Sequence, residues 1–422
     1  MHILLLTTYF PPDVGSAAHL FYDLGCSLLA QGHTVSVITS FPSYHAHGDL
    51  SRFQGRRRLQ ETQAGMTIYR LAVPQIARDT PIGRGLWQFS SALAFGLAGL
   101  GGLRPDVTLV YSPPLPLALA PLFWRWRRGI PYVVNVQDLF PQSAIDLGVL
   151  RQKPLIRFFR WLERLTYRQA DAVTVHSTGN REHVLACGGQ PATTRVVHNS
   201  VDTDQLRPAA KENALRHELG LQGCFVASFA GVMGYSQDVD VILEAARLLQ
   251  DYPDIRFLLV GDGVEKERLV QKSRAWQLDQ VVWLPMQPRE KYPAVVQASD
   301  VGLATLRADV KTPVVPSKIL SVMAAGRPVV AALDLQGDAP RLVTAAQAGY
   351  CLPPGDARAL ADVLLRLYHD PALAEQLGRN GRCYAENYLS PAAVAEQYTA
   401  LFESLRPDAR AVVQAAATGE PL

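Results

Sequence analysis

The sequence predicts an α/β protein of two doubly wound domains, and three observations carry that prediction. Its 422 residues exceed one ordinary hydrophobic core, so two domains of roughly 200 residues each are expected. Short, continuously apolar runs alternate with longer helical segments in both halves, as in parallel sheets covered by helices on both faces. Several of those runs end in glycine turns, at the place where open α/β sheets bind ligands.

The first domain is read over residues 1–200. HILLLTTYF is a strand, AAHLFYDLGCSLLAQG a helix closed by Gly32, and HTVSVITS the next strand. DVTLVYS, PYVVNVQD and AVTVHS follow as strands with helices between them. The second domain, over residues 201–390, repeats the scheme with CFVASFAG, IRFLLVGDG, VVWLPM, VGLATL and RPVVAA as strands and VDVILEAARLLQ as its first helix. HNSVDTDQLRPAA, polar and ending near a proline, is read as the link. Residues 391–422 are read as a helix around PAAVAEQYTALFESL that crosses back to the first domain, plus a flexible tail. Two such domains facing each other are expected to leave a cleft between the C-terminal ends of their strands.

Composition excludes several classes. The chain is 48% apolar and 19% charged, with no low-complexity tract, which is globular. A net charge of +3 gives no case for nucleic acid as a partner. Cys26, Cys187, Cys224, Cys351 and Cys383 lie far apart, in odd number and in no metal spacing, which favours reduced thiols in a cytoplasmic protein. MHILLLTTYFPPD has no basic leader and is read as a strand rather than a signal peptide.

Three sets of glycines open onto the expected cleft: Gly15, then Gly231 and Gly234, then Gly261 and Gly263. Glycine lets backbone approach an anion closely. No GxxxxGK[ST] or strand-plus-GxGxxG pattern is present, which leaves a P-loop NTPase or a dehydrogenase without support. In VPSKILSVMAAGRPVV, Ser317 and Lys318 stand where a helix begins. A helix start offers unpaired N–H groups and partial positive charge, which suit a phosphate.

Taken in order, PPDVGSAAHLFYDLGCSLLAQGHTVSVIT, SPPLPLALA, NVQDLFPQSAIDLG, AGVMGY, VGDG and VPSKILSVMAAGRPVVA resemble the family-4 retaining glycosyltransferases of the GT-B fold. The branch most similar includes bacterial colanic-acid and O-antigen enzymes such as fucosaminyltransferases. The resemblance implies two facing Rossmann-like domains with an interdomain cleft. It implies sugar transfer from a nucleotide-diphosphate donor, UDP favoured, with retention and with neither cofactor nor metal. By the same resemblance Gly15, Gly231 and Gly234 border the donor diphosphate, and Gly261 and Gly263 lie near the nucleotide. Met286 and Gln287 border the base, and Pro316, Ser317 and Lys318 hold the donor.

The chain departs from that family in two places. Two glutamates that many members use for sugar and ribose hydroxyls are Pro313 and Ser321 here. An arginine and a lysine after the first strand of the second domain are replaced by Val232 and Gln237. Gln237 can still hydrogen-bond phosphate, and Arg307 and Lys311 are the candidates for replacing the lost charge.

VVNVQDLFPQSA ends a strand of the first domain, which aims Gln137 and Asp138 at the cleft. Asp138 is the candidate for orienting or partly deprotonating the acceptor hydroxyl, although capping the next turn would also account for it. DTD (Asp202–Asp204) and DVD (Asp238–Asp240) imitate metal-binding pairs, but one sits in the link and the other at a helix start. His176, His183 and His198 are read as structural.

Basic and aromatic residues cluster in the first domain. LWQFSSALAFGLAGLGGL (Leu86–Leu103) is read as a buried or interfacial helix, and PLFWRWRRG interleaves Trp124 and Trp126 with Arg125 and Arg127. KPLIRFFRWLERLTYRQA places Lys153, Arg157, Arg160, Arg164 and Arg168 on one helical face, opposite Phe158, Trp161, Leu162 and Leu165, and Arg52–Arg58 adds a further cluster. These features suit an anionic membrane surface. The expected acceptor is lipid-diphosphate-linked or a saccharide, and the expected location is the inner face of the cell membrane. Rival readings are a nucleotide-sugar epimerase or hydrolase of the same fold, and a non-catalytic partner subunit.

Overall fold

The computed structural model describes residues 1–13, 16–42, 50–73, 81–99, 101–146, 148–310 and 315–406. They fall into two units, Met1–Asn199 with Pro391–Leu422, and Ser200–Ser390.

In the first unit the strands are β1 (His2–Leu6), β2 (Thr34–Ser40), β3 (Arg58–Gln63), β4 (Met66–Leu71), β5 (Val107–Ser112), β6 (Tyr132–Val136), β7 (Ala172–Val175) and β8 (Thr194–Val196). They form one sheet in the order β3-β4-β2-β1-β5-β6-β7-β8. Every neighbouring pair is parallel except β3 with β4. The inner strands are apolar on both faces because helices cover both, and Ile3, Leu5, Val37, Leu109, Val133 and Val134 are all buried. Strand order reverses between β1 and β5, which makes the C-terminal ends of those strands the natural ligand edge.

The β3–β4 hairpin is absent from the sequence reading. Its signal is present: RLQETQ and MTIYRL alternate exposed with half-buried and buried with half-buried positions. Ala64 and Gly65 join them with both φ angles positive (49° and 86°), the requirement of a tight two-residue hairpin turn. Arg70 of β4 is fully buried. It pairs with Glu61 and donates through Nη2 to the Pro11 carbonyl, so the hairpin braces the loop after β1.

The Pro391–Ser404 helix belongs to the first unit and adds Val394, Ala395, Tyr398 and Phe402 to its core. Asn135 of β6 donates to the Tyr398 hydroxyl at 2.8 Å. A residue near the end of the chain therefore steadies the strand that leads to Asp138. The sequence-predicted tail beyond residue 406 lies outside the described residues.

The second unit holds β9 (Phe225–Ala230), β10 (Ile255–Val260), β11 (Val281–Leu284), β12 (Val301–Thr305), β13 (Val329–Ala332) and β14 (Gly349–Leu352). Their order is β11-β10-β9-β12-β13-β14 and all pairs are parallel. The reversal point here is between β9 and β12.

A buried charge network ties the starts of those two strands together. Asp300 accepts from Arg216 Nη2 and Lys211 Nζ, each at 2.5 Å, and from the Val226 amide at 2.8 Å. Arg216, 2% exposed, also donates to the Ala298 and Cys224 carbonyls. Removing one partner strands a buried guanidinium, which costs more than the pair contributes. Asp300→Ala is expected to lower stability by about 3–5 kcal/mol, read as a lower midpoint in urea for the second unit.

Candidate active site

The second unit carries a cavity of about 480 Å³ at the C-terminal ends of β9 and β12. Its wall is Ala230, Gly231, Val232, Gly234, Ser236, Gln237, Met286, Tyr292, Pro316, Ser317, Lys318 and Ser321. Two strand-end loops and two helix starts supply these residues, and they meet there because the strand order reverses at this point.

Lys318 dominates the cavity electrostatically. It is partly buried as a residue, and its ammonium is turned inward, 4.1 Å from the centre of the buried Phe229 ring. Nζ donates to Gln237 Oε1 at 2.5 Å. A Cβ at Gly231 would come within 3.3 Å of Lys318 Cε, so glycine there makes room for the lysine stem. Burial pushes the Lys318 ammonium down to about 8. With a neutral amide as its hydrogen-bonded neighbour, the charge is held ready for an anion. Lys318 opens the Ser317–Ala324 helix, whose N-cap residue Pro316 provides no side-chain cap. The partial positive charge of that helix end adds to the ammonium.

The expected glycines divide, with Gly231 and Gly234 in the wall and Gly261 and Gly263 outside it. Gly231 lies in the wall, but its amide donates to the Val260 carbonyl at 2.9 Å, so it contributes close approach and no hydrogen bond to a ligand. Gly261 and Gly263 are not in the wall. A Cβ on Gly261 would sit 1.9 Å from the Gly231 carbonyl oxygen, and one on Gly263 2.5 Å from that of Met233. These two glycines let one strand-end turn pack on the other, and their amides are engaged by Leu284 O and Asp262 Oδ1.

Other expected residues divide. Met286 lines the cavity, whereas Gln287 turns its amide to the Pro285 carbonyl. Arg307 is exposed beside Asp309, with its backbone N–H on Ser236 O. Gly15, Lys311 and Pro313 lie outside the described residues. Tyr292 and Ser236 were not anticipated. Tyr292 hydrogen-bonds Ser321 and burial raises its phenol, but nothing in KYPAVV marks it in advance.

In the first unit, Gln137 and Asp138 follow β6. The Gln137 amide donates to Asn135 Oδ1 and Asn199 Oδ1 at 3.0 and 2.8 Å and accepts from Asn199 Nδ2 at 2.9 Å. Its side chain is thereby committed to holding the strand end. Asp138 is exposed, and one of its oxygens accepts from Ser143 Oγ at 3.2 Å. His176 Nε2 lies 3.2 Å from Gln137 O and 2.8 Å from Asn180 Nδ2, so it braces the same turn. Asp202 caps the amides of Asp204 and Gln205, and Asp240 is ion-paired with Arg268 and Lys272.

With this geometry in hand, residues 15–200 match a family described as glycosyl transferase 4-like domain, and residues 224–370 match glycosyl transferases group 1. The chain is 25% identical to the probable glycosyltransferase WbjE of Pseudomonas aeruginosa, over 69% of this chain and 73% of that one. It is 24% identical to the putative colanic acid biosynthesis glycosyl transferase WcaI of Escherichia coli, over 77% and 82%. The chain belongs to the family-4-type GT-B glycosyltransferases. Among solved structures, Anabaena HepE in complex with UDP superposes on the transferase with a TM-score of 0.70 at 19% identity, covering 96% of this chain and all of that one. The lipopolysaccharide-biosynthesis enzyme WaaG gives 0.65 at 16%, covering 94% and 99%. Both likenesses are likenesses of fold.

The transferase's aromatic-basic surface differs from the sequence expectation in two respects. Trp124 is buried, with Nε1 donating to the Gly96 carbonyl at 2.8 Å, and Arg125 is paired with buried Asp171 at 2.9 Å. Neither is free to meet a lipid. Phe158 and Trp161 were expected on the face opposite the arginines, yet both are exposed along with Arg157, Arg160 and Arg164. The stripe that packs inward is Phe159, Leu162, Glu163, Thr166 and Tyr167. Other apolar side chains of this unit are exposed instead. Trp126 is 80% exposed and Leu93 66%, and Phe89 meets Phe158, which meets Trp161, at ring separations of 6.0 Å each. Among the described residues no helix is long and apolar enough to cross a membrane.

Proposed function

We propose that this transferase moves a sugar from a UDP-sugar to a lipid-diphosphate-linked or saccharide acceptor in surface-polysaccharide synthesis, with retention and without a metal. The observation that carries the reading is Lys318, a desolvated ammonium beside a helix start in a cavity large enough for a diphosphate. On this reading Lys318 exchanges Gln237 for the donor diphosphate and stabilises charge as the leaving group departs, the task a divalent cation performs elsewhere. Ser317 and the Gly231–Gly234 turn flank the phosphates, with Met286 at the base. Uridine is favoured by the UDP and UDP-glucose held in the HepE structures.

Asp138 is the residue proposed to orient the acceptor hydroxyl. Ser143 holds one carboxylate oxygen, leaving the other for the acceptor. The bond from anomeric carbon to leaving phosphate breaks as the acceptor oxygen attacks from the same face, and the acceptor proton passes to the departing phosphate oxygen. Gln137 acts through the strand end and not on substrate. Incubating the protein with a panel of UDP-sugars and membrane lipid extract in EDTA tests the reading. An α-linked product from an α-linked donor is expected, while a β-linked product or a need for Mg²⁺ overturns it.

We further propose that the first unit docks peripherally on the cytoplasmic face of the membrane. Support comes from exposed Leu93, Trp126, Phe158 and Trp161 and from exposed Arg127, Arg157, Arg160 and Arg164 in the same unit. Each basic group near an anionic surface contributes on the order of 1 kcal/mol. The protein is expected to float with phosphatidylglycerol vesicles at low salt, and the Leu93→Ser, Trp126→Ser, Trp161→Ser triple variant to remain at the bottom of the gradient. Equal flotation of the two proteins contradicts the assignment of these side chains.

A further inference from the structure

The first unit carries a cluster of titratable side chains that the proposed transfer does not use. Glu163, on the Lys153–Gln169 helix, meets His183 and Cys187 at the last turn of the Thr178–Ala186 helix. His183 Nε2 lies 3.2 Å from Glu163 Oε1 and 3.4 Å from Cys187 Sγ. All three ligand atoms lie within 4.8 Å of one another. We propose that Glu163, His183 and Cys187 bind one zinc-class divalent cation that clips these two helices together.

Geometry is the first support. A tetrahedral zinc centre with bonds of about 2.0–2.3 Å places its ligand atoms about 3.3–3.8 Å apart, so the observed separations need little adjustment. Histidine and cysteine four residues apart on a helix project from one face. The facing helix supplies the third ligand, so no loop has to rearrange.

Burial and charge are the second. Glu163 is 2% exposed, an unusual place for a carboxylate on a helix whose outer face is rich in arginine. Its partners are His183 and the hydroxyl of fully buried Tyr167. Such a hydrogen bond fixes a carboxylate ligand in direction. One thiolate and one carboxylate neutralise a dication, leaving the imidazole uncharged, which suits a half-buried position. His183 and Cys187 are themselves only half-buried, so the fourth coordination position is open to a water.

The place in the fold indicates a structural cation. The Thr178–Ala186 helix starts at the C-terminal end of β7 and runs back toward the start of β8. Cysteine spacing alone misses the site because Glu163 comes from a different helix.

The test is a Co²⁺ titration of the purified full chain after EDTA treatment, followed by Zn²⁺ competition and elemental analysis. One equivalent of Co²⁺ is expected, with a thiolate-to-cobalt charge-transfer band. That band should vanish in Cys187→Ser, and Zn²⁺ binding should weaken at least tenfold in Glu163→Gln, which keeps the Tyr167 hydrogen bond. Circular dichroism of both variants separates a lost ligand from a lost fold. No band in the wild type overturns the proposal, because it leaves only a hydrogen-bonded triad. A band unchanged in Cys187→Ser overturns it equally, because the thiolate is then one of the other four cysteines.

Discussion

Lys318→Ala is expected to weaken UDP binding about 10- to 100-fold, the loss that follows from deleting a charge-assisted contact worth about 1.5–3 kcal/mol. The pH dependence should show the cause. In the free protein the ammonium titrates near 8, and only the charged form attracts a diphosphate. Wild-type affinity is therefore expected to be greatest near pH 7 and to fall by up to tenfold per pH unit above 8. The Ala variant should show no such slope.

The same residue gives an opposite result for stability. A lysine whose folded pKa lies below its unfolded value destabilises the fold while it is charged. That penalty is full below about pH 8 and gone above about 10.4. Lys318→Met, which keeps the stem, is expected to stabilise the protein at pH 7 by on the order of 1–2 kcal/mol, allowing for solvent screening of a partly buried group. The gain should close as pH approaches 10.4. Better folding combined with worse binding separates a ligand-binding lysine from a merely structural one.

Asp138→Ala is expected to lower kcat by about 100- to 1000-fold with UDP affinity kept within twofold. A group that orients a reacting hydroxyl contributes a factor of this size, and Asp138 belongs to the unit that does not carry the Lys318 cavity. Single-turnover assays beside calorimetry measure both quantities. If kcat falls less than threefold, Asp138 only orders its turn through Ser143. Gln137→Ala should lower kcat too, but with a loss of thermal stability, because its amide ties Asn135 to Asn199.

The fold was legible in the sequence wherever one physical signal dominated. Ten strands with continuous apolar runs, from HILLL to VVAA, stand out because burial on both faces leaves no polar alternative. The β3–β4 hairpin is polar on one face and β8 is only three residues long, so neither produces such a run. β14 carries a glycine and a cysteine in four residues, which blurs it in the same way. In the cavity of the second unit, Lys318, Ser317 and Gln237 could be grouped from sequence because a helix start and a strand-end turn have local signatures. Gly261 and Gly263 show the limit: a glycine demanded by a neighbouring carbonyl looks the same in sequence as one demanded by a phosphate. Trp124 shows another, since aromatic–arginine alternation does not reveal which aromatic points inward. Phe158 and Trp161 were read on the face opposite the arginines, while the buried stripe includes Glu163 and Thr166, whose polarity conceals it.

The central claim is that a lysine and a helix start hold the donor diphosphate in place of a metal. Titrating UDP calorimetrically into the protein in EDTA near pH 8, in buffers of different ionisation enthalpy, tests it most directly. The account predicts binding without a divalent cation, accompanied by net uptake of a fraction of a proton as Lys318 becomes fully charged. Binding that appears only when Mg²⁺ is added, or that takes up no proton, would contradict it.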